Sequence, residues 1–272
     1  MKRIFFLAVV SQAIALAASC PAEAAQAGEG ACPDSPAEFA MVRDVSRDLA
    51  LTLDDGRVVS LAGVEPPRAT QAMPDRPEVI HARMLSALRG QPVGLVTLAP
   101  PGRWGSIPAF VFVGEGTLAE KLLASGEARM RPDRIARACR DALLMAEASA
   151  RAAHKGVWTD AALAPIDAGG DLPHFAVEGM AIVEGTVASV GETPTRLYLN
   201  LGRPRGGFAI SLPKRDIALM QSDAVAKARV KGARVRVRGL VDHVMGWRID
   251  ISDADAIERL PPVANDATAG AR

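Results

Sequence analysis

Arg234, Arg236 and Arg238 have a spacing that could do chemistry: they alternate with Val235 and Val237, so a strand here projects three guanidiniums from one face. Such a ladder can follow the phosphates of a single-stranded nucleic acid, with Tyr198 or Trp247 as stacking platforms. The competing reading is a solvated outer face with Asp250 as a partner across the hairpin, and it is preferred. Other constellations are thin. His81, His154, His174 and His243 are scattered without metal-ligand spacing, which leaves zinc unsupported. Gly202 to Gly207 contains Pro204 and reads as a hairpin loop, not as a phosphate cradle opening a helix. No Ser-His-Asp arrangement can be argued from the order of residues.

Two strand-rich segments must position these groups. In the first, Leu49, Leu51 and Leu53 alternate with polar or small residues as a half-buried strand. Asp54-Asp55-Gly56 signals a hairpin, and Val58 to Val64 forms the return. A helix is predicted over 77–89, with Ile80, Met84, Leu85 and Leu88 on one face. Strands follow at 93–98 and 107–113. Thr117 and Glu120 have the spacing of a capping box, Ser125-Gly126 ends that helix, and Asp133 is expected to cap the long last one. Residues 159–173 carry the Pro, Gly and Asp punctuation of a linker. Beyond it, strands are expected at 180–190, 196–201, 208–212, 234–241 and 247–251, with a helical stretch near 214–227. Phe208, Ile210 and Leu212 alternate as core. Five strands with a helix after the third is the order of an OB-fold, and other small barrels share the count.

The first segment also carries a resemblance. Val58-Val59-Ser60-Leu61-Ala62-Gly63-Val64-Glu65-Pro66-Pro67-Arg68 is similar to the strand and acidic turn of the staphylococcal nuclease-like (SNase-like, thermonuclease) family. Arg103-Trp104-Gly105-Ser106, the apolar run 109–113, Thr117 to Gly126 and Gly156-Val157-Trp158 follow in that family's order over about 100 residues. The resemblance implies an α+β domain at 38–158: a five-stranded OB-type barrel with three helices. It also implies phosphodiester cleavage by a carboxylate-held calcium, a Glu acting on water and two Arg neutralising the phosphate. Family members present Asp-Gly-Asp-Thr, then Arg-Leu-x-x-Ile/Val-Asp-x-Pro-Glu, then Tyr-Gly-Arg. Here the first Arg falls on Ser60, the metal-binding Asp on Glu65, the Glu on Arg68 and the second Arg on Ser106. Strand register puts Leu49 where the first metal-facing Asp belongs and turns Asp48 to the other face. Only Glu65 keeps a usable carboxylate, and calcium takes six to eight oxygens as a rule. Arg57, Arg68 and Arg103 are the nearest substitutes for the lost cations and read as solvated rim charges.

Composition and the ends of the chain bound the rest. With 32 basic and 31 acidic residues the chain is nearly neutral, which argues against a dedicated nucleic-acid binder. Lys2-Arg3, an apolar run from Ile4 to Ala18 and then small residues form a three-part export signal, taken as 1–24. Ala22-Glu23-Ala24 offers a cleavage site; Ala17-Ala18-Ser19-Cys20 offers a weak lipobox with a lipid anchor at Cys20. Simple export to the periplasm or beyond is preferred. Cys32 and Cys139 then remain, an even number in an oxidising compartment. Their pairing would be worth about 4 kcal/mol in the chain-entropy model. The alternative is a thiol buried on the helix face of Ile135 and Leu143.

The sequence therefore predicts a mainly β, α+β protein: a SNase-like barrel, a linker at 159–173, a second OB-like β-barrel at 174–262 and a polar tail at 263–272. It is read as a catalytically degenerate binder of an envelope protein or a polyanion, without cofactor. A divergent calcium-dependent nuclease of DNA or RNA is the second reading, and a non-catalytic nucleic-acid-binding module the third.

Overall fold

The computed structural model describes residues 31–171, 179–203, 207–219, 223–242 and 246–262. The expected export segment at 1–24, Cys20, His174, His243 and the 263–272 tail lie outside the described residues. Among those described, no helix is long and apolar enough to cross a membrane.

The first part runs β1 (Glu38–Val45), β2 (Leu51–Leu53), β3 (Val58–Leu61), β4 (Val64–Glu65), α1 (Arg76–Leu88), β5 (Pro92–Thr97), β6 (Ser106–Phe112), α2 (Leu118–Ala124), β7 (Arg129–Met130) and α3 (Arg140–Ala152). A closed barrel joins β1, β2, β3, β6 and β5, and its β3–β6 pair is parallel while the others are antiparallel. That wiring is consistent with an OB-like barrel. Period-two alternation drives it: Leu51, Leu53, Val59 and Leu61 point inward with Val42, Leu95 and Phe110. The predicted hairpin turns at Gly56, whose φ of 88° needs no Cβ penalty there. The capping box is present at α2. Glu120 Oε2 accepts from the Thr117 backbone N–H at 3.0 Å, and Thr117 Oγ1 accepts from the Glu120 N–H at 3.2 Å. Just past α2, the Val157 N–H donates to the Gly126 carbonyl at 2.7 Å. A Cβ on Gly126 would sit 2.3 Å from the Lys155 carbonyl oxygen, so close backbone approach fixes glycine at this position.

Two local expectations need correction. Strand β2 begins at Leu51, not Asp48, because residues 46–50 form a turn: the Leu49 N–H donates to Ser46 O and the Ser46 N–H to Ala50 O. Leu49 adopts a left-handed φ of 65° in that turn and is buried in the core. Asp133 does not cap an α-helix. A 3₁₀ segment at Arg134–Cys139 comes first, and Cys139 occupies the N-cap of α3. Cys139 is disulfide-bonded to Cys32 across 107 residues, with their Cα atoms 4.6 Å apart. The pre-barrel segment is thereby fastened to the start of α3.

The second part comprises β8 (Ile166–Asp167), β9 (Met180–Glu192), β10 (Arg196–Leu201), β11 (Phe208–Pro213), α4 (Lys214–Leu219), α5 (Asp223–Ala228), β12 (Arg234–Asp242), β13 (Arg248–Asp250) and β14 (Ile257–Arg259). Strand β9 pairs along its first half with β12 and along its second half with β10. The circuit is completed by the β10–β11, β11–β13 and β12–β13 pairs, of which β11–β13 is parallel, and β14 adds to β12 in antiparallel fashion. The circuit β9-β10-β11-β13-β12 repeats the connectivity of the first barrel. Phe208, Ile210 and Leu212 are buried in its core as the alternation predicts. Residues 159–171 of the expected linker are more ordered than a plain connector: Ala161–Leu163 is a 3₁₀ turn, and β8 pairs in parallel with β9.

Candidate functional site

Glu65 stands in β4 directly opposite Arg129 of β7. Cross-strand neighbours of opposite charge attract, and here the pair closes fully. Arg129 Nε donates to Glu65 Oε2 at 2.9 Å, and Arg129 Nη2 lies 2.7 Å from the same oxygen. Arg68 Nε approaches Glu65 Oε1 at 3.4 Å. Both arginines then reach into the second part of the chain. Arg68 Nη2 donates to the Met180 carbonyl at 3.0 Å, and Arg129 Nη2 donates to the same oxygen. Gly179 lies so close that a Cβ there would sit 1.7 Å from Arg68 Nη1. Burial disfavours the Arg129 guanidinium and pulls its pKa below the usual value, with the Glu65 charge opposing that shift.

The other positions matched to the thermonuclease pattern supply neither a base nor a cation. Ser60 and Ser106 lie half-buried on the parallel β3–β6 pair, in register through Ser60↔Pro108 and Val58↔Ser106. Leu49 is core. Asp48 is exposed, and its carboxylate accepts from the Ser46 hydroxyl. Arg57 is held by Glu38 and Asp55, each at 2.7 Å, and those hydrogen bonds raise its pKa further. Arg103 is exposed in the β5–β6 turn, beside a Trp104 that is 88% exposed. None of Asp48, Arg57 and Arg103 bonds to Glu65. Among the described residues no group of three or more His, Cys, Asp or Glu side chains could hold a metal.

The arginine stripe shares one face, as its alternation predicts; its Arg238 end meets the first part of the chain, while Arg234 keeps 34% of its side chain exposed. Arg234 pairs with Glu184 at 3.3 Å, and Arg236 with Glu184 at 2.7 Å and Glu258 at 3.1 Å. Arg238 is paired with Glu258 at 3.0 Å and with Glu147 of α3, and both Arg238 and Glu147 have 0% side-chain exposure. Glu147 also accepts from the Met130 backbone N–H at 2.8 Å and from Arg151 at 3.2 Å. Neither the phosphate ladder nor the solvated face describes this arrangement. Asp250, the expected partner, pairs with Arg196 and Arg248 instead. Trp247 stacks on the buried Phe208, with ring centroids 6.2 Å apart. Tyr198 is half-buried on β10 between Gly191 and Ser211.

More contacts fasten the two parts. Arg137 reaches Asp255 at 2.9 Å and Asp253 at 3.3 Å, and Arg140 donates to the Ile257 carbonyl at 3.1 Å. Ile182 of β9 packs with Ala150, Val157, Trp158 and Leu163. Sequence reasoning missed Glu147 and Arg129. Leu143, Glu147 and Ala150 follow the i, i+4, i+7 spacing of a buried helix face, and an acid on such a face is a signal that was there to use.

Beside the Glu65 cluster a cleft of about 970 Å³ opens along the seam. Its walls are the loop from Arg68 to Ala72, the turn from Asp160 to Ala164, and Met180 to Ile182 of β9. Asp160 is buried, accepts from the Thr70 hydroxyl and accepts from the Ala162 N–H at 3.0 Å. Arg76, at the first position of α1, is 8% exposed, and its buried Nε and Nη2 have no hydrogen-bond partner. Burial lowers its pKa, while the nearby Asp160 charge works the other way. The ensemble is a carboxylate locked by two guanidiniums next to an open, partly apolar cleft, an arrangement suited to holding a ligand.

Compared with known proteins, the chain matches no family model and no curated protein sequence.

Proposed function

We propose that this chain is an exported, catalytically silent protein of SNase-like descent that acts by binding, with a protein partner in the cell envelope as its target. One observation carries the reading. The single carboxylate left from the thermonuclease pattern, Glu65, is neutralised by Arg129 and Arg68, and both arginines are tied to the Met180 carbonyl. Two guanidiniums offset the charge with which that carboxylate would attract calcium, and Ser60 and Ser106 supply no positive charge for a scissile phosphate. A protein partner is preferred to a polyanion because the stripe's guanidiniums are already matched by Glu184, Glu258 and Glu147. Phe39, Met41 and Trp104 stay exposed on the first barrel and offer apolar contact. The repeated strand circuit supports reading the second part as an OB-like barrel that braces the first.

Purified protein incubated with calcium and single-stranded DNA should leave the DNA intact. Cleavage that disappears with a chelator or with Glu65→Gln would overturn the reading and favour a working nuclease. Salt-sensitive binding of an oligonucleotide would favour a nucleic-acid module instead.

A further inference from the structure

A strap of chain lies on the outer face of the first barrel ahead of β1. Ala37 opens the strand pairing by donating its N–H to the Leu95 carbonyl at 2.9 Å, but among the described residues none of 32–36 makes a main-chain hydrogen bond. Side chains hold the strap down. Pro36 lies on Gly94 of β5, where a Cβ would sit 2.4 Å from the Pro36 Cβ. Cys32 packs half-buried against the first core and is bonded to Cys139. With that bond cut, lifting the strap would break no main-chain hydrogen bond and lose little buried apolar area, the marks of a segment that opens at low cost. What lies beside and beneath it is apolar. Phe39 and Met41 of β1 stand in register with Gly94 and Pro92 of β5, so these positions share the barrel's outer face. Phe39 is 74% exposed and Met41 39%, whereas Gly94 is buried under Pro36. The strap therefore ends an apolar strip that would otherwise run on across β5.

We propose that the Cys32–Cys139 bond is a redox latch: a dithiol reductant cuts it, the strap lifts from Gly94, and the strip of Phe39 and Met41 extends across β5. Access decides which sulfur is attacked, since Cys139 is buried in the core and Cys32 is half-buried. One thiolate of the dithiol attacks Cys32 Sγ, forming a mixed disulfide and releasing Cys139 as a thiolate. The second thiolate attacks the reductant's sulfur in that mixed disulfide, closing the reductant's own disulfide and releasing Cys32. Two electrons pass from the dithiol to the protein, and the two protons it gives up end on Cys32 and Cys139 as thiols. The strip is the apolar contact assigned above to a protein partner, so the latch rests on the binding reading for its purpose and not for its chemistry.

Dithiothreitol is the reductant to use, on the full chain without denaturant. It should cut the bond, as counted by thiol alkylation, and leave the far-ultraviolet circular dichroism unchanged. The fluorescence of anilinonaphthalene sulfonate should rise at least about threefold as the strip lengthens. Phe39→Ser should remove most of that rise. Cys32→Ser combined with Cys139→Ser should give the raised signal without reductant and ignore dithiothreitol. Gly94→Ala wedges a methyl under Pro36 while the latch is shut, so its disulfide should be cut at least about threefold faster than the parent's. A bond cut only in urea, a dye signal unmoved by reduction, dichroism that collapses on reduction, or an unchanged rate in Gly94→Ala would each overturn the proposal. The DNA-cleavage assay on the same samples separates the two claims. Cleavage alongside a reduction-dependent dye signal sinks only the binding reading, and an unmoved dye signal without cleavage sinks only the latch.

Discussion

Removing Arg238 should loosen the whole molecule. Its guanidinium gives Glu147 two hydrogen bonds, one from Nη1 at 2.9 Å and one from Nη2, and gives Glu258 a third from Nε at 3.0 Å. In Arg238→Met, Glu147 keeps only the Met130 N–H and Arg151, while Glu258 keeps Arg236. Breaking a buried pair by deleting one partner costs about 3–5 kcal/mol. The surviving contacts put Arg238→Met near the low end, about 3 kcal/mol. Glu147→Leu should cost about 5 kcal/mol, because it strands the Met130 N–H as well as the Arg238 charge. The double variant removes both charges of the pair but still strands the Met130 N–H, so it should fall about 1–3 kcal/mol below the parent, far short of the roughly 8 kcal/mol sum of the two single variants. Urea unfolding of the four proteins forms a double-mutant cycle, and thermal melts give a second readout. Roughly 10 °C should be lost in Arg238→Met for a chain of this size. Because Arg238 and Glu147 belong to different parts of the chain, the parent should unfold in one transition and the single variants in two. A loss below about 1 kcal/mol in Arg238→Met, or simple additivity in the double, would refute the claim that this pair unites the halves.

Acid should weaken the same interface. Burial alone would raise the Glu258 pKa, but Arg238 and Arg236 outweigh it and hold the group below its ordinary value. A depressed folded-state pKa means stability present at neutral pH and lost as pH falls through the ordinary carboxylate range, about 4, and below. Urea midpoints between pH 7 and 3 should fall, and Glu258→Gln should flatten that slope. Reducing Cys32–Cys139, or replacing Cys32 with Ser, should cost about 4 kcal/mol, read as a lowered melting temperature that a reductant no longer changes in the variant. Gly126→Ala should cost several times more than Gly56→Ala, because both need a left-handed backbone but only Gly126 has a carbonyl in the way. About 1 kcal/mol is expected at Gly56. Equal melting temperatures for the two variants would contradict the packing argument.

Elements with a long period were legible before any coordinates. Arg196–Leu201 and Phe208–Pro213 alternate cleanly over six residues each, and the Thr117–Glu120 capping box and the Asp54-Asp55-Gly56 turn are local chemistry. Strands β4, β7 and β8 are two residues long, too short to have a period; only their partners make them strands. Leu49 defeated register counting because nothing in a leucine announces a left-handed backbone. The arginine stripe was half legible. Alternation told which side chains share a face, but a face of three cations looks the same whether water or a buried glutamate lies across from it. The Glu65 cluster was visible only as an absence, since Arg129 and the Met180 carbonyl arrive from 64 and 115 residues downstream.

That carbonyl has its own evolutionary logic. Two guanidiniums grip a main-chain atom at position 180, and every residue type presents the same oxygen. Drift at that site would leave the clasp undisturbed, whereas the hands that hold it, at 68 and 129, can be exchanged for little else. In a lineage sharing this architecture, the joint would leave a one-sided trace: fixed arginines in the first part of the chain, with no companion side chain changing in step at position 180.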